Sequence, residues 1–254
     1  MIYNAKEYAR LRNVVFAISL CAWTVILAGP HVRPCCAARG SGTSLATIFA
    51  ANQAASLTVG WTLMLIAMMS PMLIPPIYHV QITSLARRRG RLIALFVAGY
   101  GAVWLAAGGV LMSAELALTW LAPQSYIPAT VMGLVALVWQ ASPWKQRCLN
   151  RCHSHRPLAA FGVAADWDAL CLGLEHGFWC TGSCWATMLC PMLLHHGHLV
   201  AMAAVSALMF CERLDPPKSL SWRWRGFGAA SRCLSLRLRG PQCGPVPLVP
   251  GAQA

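Results

Sequence analysis

Hydrophobic residues run along this chain in long stretches, separated by short polar or basic clusters. Six stretches approach the roughly 20 residues that an α-helix needs to cross a bilayer. They fall at about 13–29, 57–80, 92–112, 126–141, 169–194 and 199–211. The first follows Lys6, Arg10 and Arg12, so a signal peptide is an alternative reading. Against it, Trp23 and Thr24 interrupt the core, and no clear small-x-small cleavage site precedes Gly29-Pro30. The second carries Pro71, Pro75 and Pro76. Lipid tolerates such breaks in the hydrogen-bond ladder only where neighbouring protein or a wet cavity satisfies the freed groups, so this span is expected inside a bundle. The third holds Gly99, Gly101, Gly108 and Gly109, which permit close helix approach. The pattern predicts an all-α, polytopic transmembrane helical bundle of about six spans over residues 1–213. From Leu214 to Ala254 the chain is rich in Pro, Gly and Arg without apolar period, and is expected to be a disordered cytoplasmic tail. Trp222, Arg223, Trp224 and Arg225 are expected at the inner headgroups.

Composition agrees with the pattern. Of 254 residues, 57% are hydrophobic and 11% charged, against about 25% charged in a soluble domain. The net charge of +13 raises the question of nucleic acid. The cations cluster between apolar stretches, and no basic stripe interleaved with aromatics is present, so nucleic acid is excluded as a partner. With the N-terminus inside, Lys6, Arg10, Arg12, Arg87, Arg88, Arg89, Arg91, Lys145, Arg147, Arg151, Arg156 and every cation after Cys211 fall on inner segments. Only Arg33 and Arg39 fall outside. This is the positive-inside bias. It predicts an even number of spans with both termini cytoplasmic, and the lipid bilayer as a partner.

The chemistry concentrates in the fifth stretch. His176, Cys180, Cys184, Met188 and Met192 recur every four residues, which stacks them along one helix face. Imidazole, thiol and thioether are the donors that soft or borderline metals prefer, Cu(I) above all and zinc second. Cysteine also packs as a small apolar residue, and a pair four apart could serve redox chemistry, although C-x-x-C is the commoner redox spacing. Cys148 and Cys152, with His153 and His155, lie just after the fourth span; Arg147 and Arg151 are expected to lower their thiol pKa. The bland alternative there is a basic, solvated loop. His195, His196 and His198, followed by Met202, form an outer turn suited to copper capture. Met64, Met68 and Met72 repeat at the same spacing on the second span, as ordinary core or as further thioethers. Glu175 and His176 are ionisable groups within a span, which usually face a partner or a cavity. No Ser/His/Asp arrangement, phosphate loop or hydrolytic carboxylate pair is present, so the expected role is not catalytic.

Several of these residues together resemble a bacterial family of predicted metal-binding integral membrane proteins, long labelled a domain of unknown function and lately often called copper chaperones. The likeness runs from about Val59 to Arg213. It rests on Trp61 with Ala67-Met68-Met69 and Pro71, Gly99-Tyr100 with Trp104, Gln140 with Pro143-Trp144-Lys145 and Cys148, Cys180-Thr181-Gly182-Ser183-Cys184-Trp185 with Met188, and Glu212. The family commonly carries adjacent cysteines before that tryptophan; here the first is Ser183. The resemblance implies metal binding, with copper the expected ion. The chain is thus expected to be a multi-pass protein of the bacterial inner membrane. It would handle or deliver a soft metal, in practice Cu(I), through donors in and beside span five, with a delivery partner or membrane complex as a further partner. The alternatives are a membrane thiol-disulfide oxidoreductase using Cys180/Cys184, with Cys35/Cys36 as a second pair, and a ligand-free structural or assembly subunit.

Overall fold

Proline and glycine cut the apolar stretches into helices. The computed structural model describes residues 5–28, 53–122, 125–154, 156–159, 161–194 and 196–225. The helices are α1 (Ala5–Ala28), α2 (Gln53–Met69), a 3-10 turn (Ser70–Leu73), α3 (Ile74–Thr83), α4 (Arg89–Leu121), α5 (Ile127–Ala141), α6 (Pro143–His153), α7 (Gly162–Met192) and α8 (His198–Leu214). Among the described residues no strand occurs, and the all-α expectation holds.

Among the described residues, three segments are long and apolar enough to cross a membrane: α1, the continuous stretch Leu57–Thr83, and α4. A fourth arises only if α5 and α6, bent by 62°, count as one span. Six spans were expected. α7 interleaves Glu175, His176, Thr181 and Ser183 among its apolar residues, and α8 is 17 residues long; neither meets the same measure. α4 runs nine residues beyond its expected end at 112, to Leu121.

The prolines of the second span act as expected. Pro71 opens the 3-10 turn, and prolines sit at the first positions of α3, where a missing N–H costs nothing. α1 packs against this region as a bundle member: Ser19 Oγ donates to the Ala67 carbonyl at 2.6 Å, and the rings of Phe16 and Phe210 lie 6.0 Å apart.

The centre of the bundle is the crossing of α4 and α7. A Cβ added at Gly99 would stand 2.6 Å from the Leu170 carbonyl, and one at Gly173 would strike the Phe96 carbonyl. Only hydrogen fits at either position. Gly108 instead accommodates the Trp61 indole, which donates to the Trp104 carbonyl at 3.0 Å, whereas Gly101 and Gly109 face open space. α7 packs on α4, α5, α6 and α8 and buries residues around most of its circumference, from Ala165 to Pro191. At the end near its start, Asp166 receives Arg91 at 2.7 Å and Arg88 at 3.4 Å. The basic run before α4 therefore ties that helix to α7.

Two features depart from expectation at the end of the bundle where α5 stops. The stretch after the fourth span, a candidate solvated loop, is the helix α6. Ser142 caps it by accepting from the Trp144 N–H at 3.1 Å, and Pro143 supplies the first-turn φ. Pro143 also forces the bend, because it cannot continue the α5 ladder. Second, the expected disordered tail is ordered over its first residues. After α8, the segment 215–225 carries no regular helix yet straps back over α5 and α6. Asn150 Nδ2 donates to the Lys218 carbonyl at 2.8 Å, and the Lys218 N–H returns to Asn150 Oδ1 at 3.2 Å. The Arg223 N–H and Arg225 Nη1 satisfy the Ala141 and Gln140 carbonyls at 3.1 and 2.7 Å, two of the orphan groups at a helix C-terminus. Arg225 is thus buried rather than spread on headgroups, while Trp222 and Trp224 are exposed. The tail from 226 onward lies outside the described residues.

Candidate metal centre

The four-residue spacing on α7 puts His176, Cys180, Cys184 and Met188 on one buried face, none more than 4% exposed. Met192 is partly buried beside them. The face is turned into the protein and toward α4. Tyr100 OH lies 3.5 Å from Cys180 Sγ, and the His176 ring stacks obliquely on Tyr100 and Phe96 at 5.9 and 6.1 Å. Cys180 and Cys184 sit one helical turn apart on that face. Ser183 is fully buried, donates to the Cys180 carbonyl at 2.7 Å and lies 3.2 Å from Cys184 Sγ.

α6 brings the second pair of thiols to the same place. Gly182 leaves a notch on α7 that Cys148 fills, its Sγ 3.1 Å from where a Gly182 Cβ would be. Cys152, 3% exposed, is buried on the same helix as Cys148. Trp139 Nε1 donates to the Gly182 carbonyl at 3.2 Å and fixes the end of α5 against the same turn of α7. α6 therefore lays its thiols against the turn of α7 that carries Cys180 and Cys184. Among the described residues no group of three or more His, Cys, Asp or Glu side chains is placed to hold a metal ion.

The lowering of the α6 thiol pKa values expected from Arg147 and Arg151 is outweighed by burial. Burial pushes Cys148 up, with Arg147 only partly opposing it, and pushes Cys152 up to about 12, with Arg213 opposing. The two expected arginines are occupied elsewhere, Arg147 over the Trp144 ring at 5.9 Å and Arg151 over Trp179 at 5.7 Å. Desolvation disfavours the thiolate more than an exposed cation favours it.

What seats α6 is a buried polar knot. Lys145 and Glu212 are 0% and 1% exposed and pair at 2.9 Å. Gln140 donates to Glu212 and accepts from Lys145, and Arg225 Nε donates to Gln146 at 2.7 Å beside them. Removing one member would leave a buried charge uncompensated. Sequence reasoning had noted Gln140, Lys145 and Glu212 without giving them a role. It had counted Lys145 and Arg213 as topology charges and missed that their charge acts on the thiols, Lys145 on Cys148 and Cys184, Arg213 on Cys152, Cys180 and Cys184. Tyr100 was also missed. A charge placed at the end of a span was the available signal.

The other candidates do not converge here. Met68 and Met72 are buried and Met64 partly so, in the apolar cluster that also holds Cys180, Cys184 and Met188. α2, however, packs chiefly on α1, α4 and α8. His196 and His198 are exposed at the far end of α7, while Met202 is buried on α8. His195, His155, Cys35 and Cys36 lie outside the described residues. Glu175 has Arg156 at 3.9 Å, an exposed and weak pairing.

A family model described as copper chaperone matches residues 58–235, well over half of the chain. No curated protein and no solved structure matches it.

Proposed function

This chain belongs to the copper chaperone family, and from that premise we propose that it is a multi-pass membrane protein that holds Cu(I) on the thiols between α6 and α7 and passes it on. The observation that carries this reading is that a separate, polar helix, carrying Cys148 and Cys152, lies against the turn of α7 that carries Cys180 and Cys184. Thiolate is the soft donor that selects Cu(I), and two thiolates suffice for a monovalent ion of low coordination number. Zinc would need more donors in a tetrahedral set. His176 and Met188 flank the pair on the same face as auxiliary donors, and Tyr100 orients Cys180.

The four thiols divide into roles. Cys180 and Cys184, in the packed core, retain the ion. Cys148 and Cys152 ride on α6, at the cation-rich end that the positive-inside rule assigns to the cytoplasm, and hand the ion to a partner there. The exposed His196 and His198, with His195, serve as the opposite, outer point of capture. The methionines of α2 serve as packing. The role is binding and transfer, not bond chemistry.

Metal analysis of the full chain in mild detergent tests this. Copper retained by the wild-type protein is expected to fall to background in Cys180→Ser/Cys184→Ser. In Cys148→Ser/Cys152→Ser it is expected to be retained but released more slowly to an acceptor chelator. Equal copper in all three proteins refutes the site. Thiols that change alkylation state with redox poise and without metal would favour the oxidoreductase alternative.

A further inference from the structure

The strap 215–225 closes over α6 without filling the space beneath it. A cleft of about 190 Å³ remains, with Gln146 of α6 on one wall and Lys218, Ser221, Arg223, Trp224 and Arg225 of the strap on the other. That is more than ten times the roughly 15 Å³ that one water needs. Arg225 is 5% exposed, and its guanidinium bonds only to neutral oxygens. These are Gln146 Oε1 and the Gln140 carbonyl, each at 2.7 Å, and the Ser221 carbonyl at 2.9 Å. They use three of the five N–H donors of a guanidinium. Arg223 holds the Ala141 carbonyl through its backbone N–H. Its side chain is exposed and makes no hydrogen bond or ion pair among the described residues. The chain has seven Asp and Glu, all of them described, and none lies within ion-pair distance of Arg223 or Arg225. Glu212 borders an adjoining crevice with Arg225, but Lys145 already pairs with it at 2.9 Å. Asp215 is taken by Lys218 at 2.9 Å. The C-terminus of α5 offers only about half a negative charge against two guanidinium groups, and a buried cation without a counter-charge is costly.

We propose that this cleft binds the phosphate of an anionic lipid headgroup and thereby staples the strap to α6. Guanidinium donors match phosphate oxygens in pairs, and the Ser221 hydroxyl adds a donor that turns freely to suit. Two observations favour a lipid over free phosphate as the source. Trp222 and Trp224 alternate with the two arginines and are 65% and 63% exposed, and tryptophans of this kind sit at headgroup level. The cleft also lies at the cation-rich end of the bundle, beside α6 with its Arg147 and Arg151, where anionic inner-leaflet lipids gather. The lipid source rests on the multi-pass membrane reading above; the cleft itself is independent of any metal on the thiols. Because its two walls belong to different segments, a phosphate held between them stabilises the fold of the strap on α6 by mass action.

The test follows thermal unfolding of the full chain in mild detergent at fixed ionic strength. The additions are short-chain phosphatidylglycerol, the matching diacylglycerol without phosphate, and inorganic phosphate. Phosphatidylglycerol is expected to raise Tm saturably, in the wild type and in Cys180→Ser/Cys184→Ser alike, and the other two are expected to leave it in place. Arg223→Gln, which keeps the backbone bond to Ala141, is expected to weaken phosphatidylglycerol by roughly 10- to 100-fold, the scale of one charge-assisted hydrogen bond. Arg10→Gln/Arg12→Gln removes two exposed cations of α1 and is expected to leave that affinity unchanged. Equal weakening by the α1 pair overturns the inference, since it marks diffuse attraction to a basic face. An affinity that neither Arg223→Gln nor Ser221→Ala alters overturns the cleft as the site. An equal shift with inorganic phosphate overturns the lipid source. A chain that stays in solution without detergent refutes the membrane reading instead, and is recognised at extraction before any lipid is added.

Discussion

Two stretches of this chain carry the same pattern, soft side chains every four residues on an apolar helix, and the fold uses them differently. Met64 and Met68 on α2 and Met72 in the 3-10 turn that follows lie in or against the apolar core. His176, Cys180, Cys184 and Met188 on α7 are equally buried but meet polar groups: Tyr100, Ser183 and the thiol-bearing face of α6. Spacing places donors on a face. A second element carrying its own donors and charges makes that face a candidate centre. α6 is that element, and the α2 methionines have no counterpart to it.

The sharpest way to break the comparison is to exchange the two stretches' fortunes. Cys180→Ser/Cys184→Ser should remove essentially all retained copper, whereas Met64→Leu/Met68→Leu should leave it within about two-fold and cost less than about 1.5 kcal/mol of stability, as volume-conserving core exchanges do. Metal content and denaturation in detergent read both. Next in size is the knot that seats α6. Glu212→Leu alone leaves Lys145 buried and unpaired, and should destabilise the protein by about 3–5 kcal/mol. The double variant Lys145→Met/Glu212→Leu should be less destabilised than that single, an ordering that fails if the pair is not buried as seen. Gly173→Ala, at the α4–α7 crossing, should cost about 1–3 kcal/mol through overpacking and loosen the Tyr100–Cys180 contact.

The smallest expected effect is on pH dependence. Cys152 is held protonated by burial, its pKa raised from about 9 to about 12. The folded state then binds the proton more tightly than the unfolded one, so this contribution to stability is complete below about pH 9 and is lost as pH rises toward about 12. A stability–pH curve should fall over that range, and Cys152→Ala should flatten it. An unchanged slope in that variant means Cys152 is not the buried thiol described.

Much of the bundle was legible because burial in lipid and burial in protein demand the same apolar runs. Pro71, Pro75 and Pro76 interrupted the second segment as expected, and the α7 strip shares one buried face. α6 was illegible for a physical reason. Its sequence, Pro143 to His153, reads as polar and basic, and what allows it to bury Lys145 is Glu212, 67 residues further on and invisible to any local pattern. The strap of 215–225 was hidden likewise: its Pro- and Arg-rich composition signals disorder, and only the freed carbonyls of α5 give Arg223 and Arg225 somewhere to bond. The α6 thiols shift up rather than down because sequence shows the neighbouring arginines but not the desolvation that outweighs them. Arg213 was read as membrane topology because a cation at a span's end normally is.

The most direct measurement is X-ray absorption at the copper edge on the Cu(I)-loaded full chain, beside Cys180→Ser/Cys184→Ser and Met64→Leu/Met68→Leu. The account predicts a first shell dominated by sulfur that survives the methionine exchange and disappears with the two α7 cysteines. A shell dominated by nitrogen, or a sulfur shell that persists without Cys180 and Cys184, would contradict it.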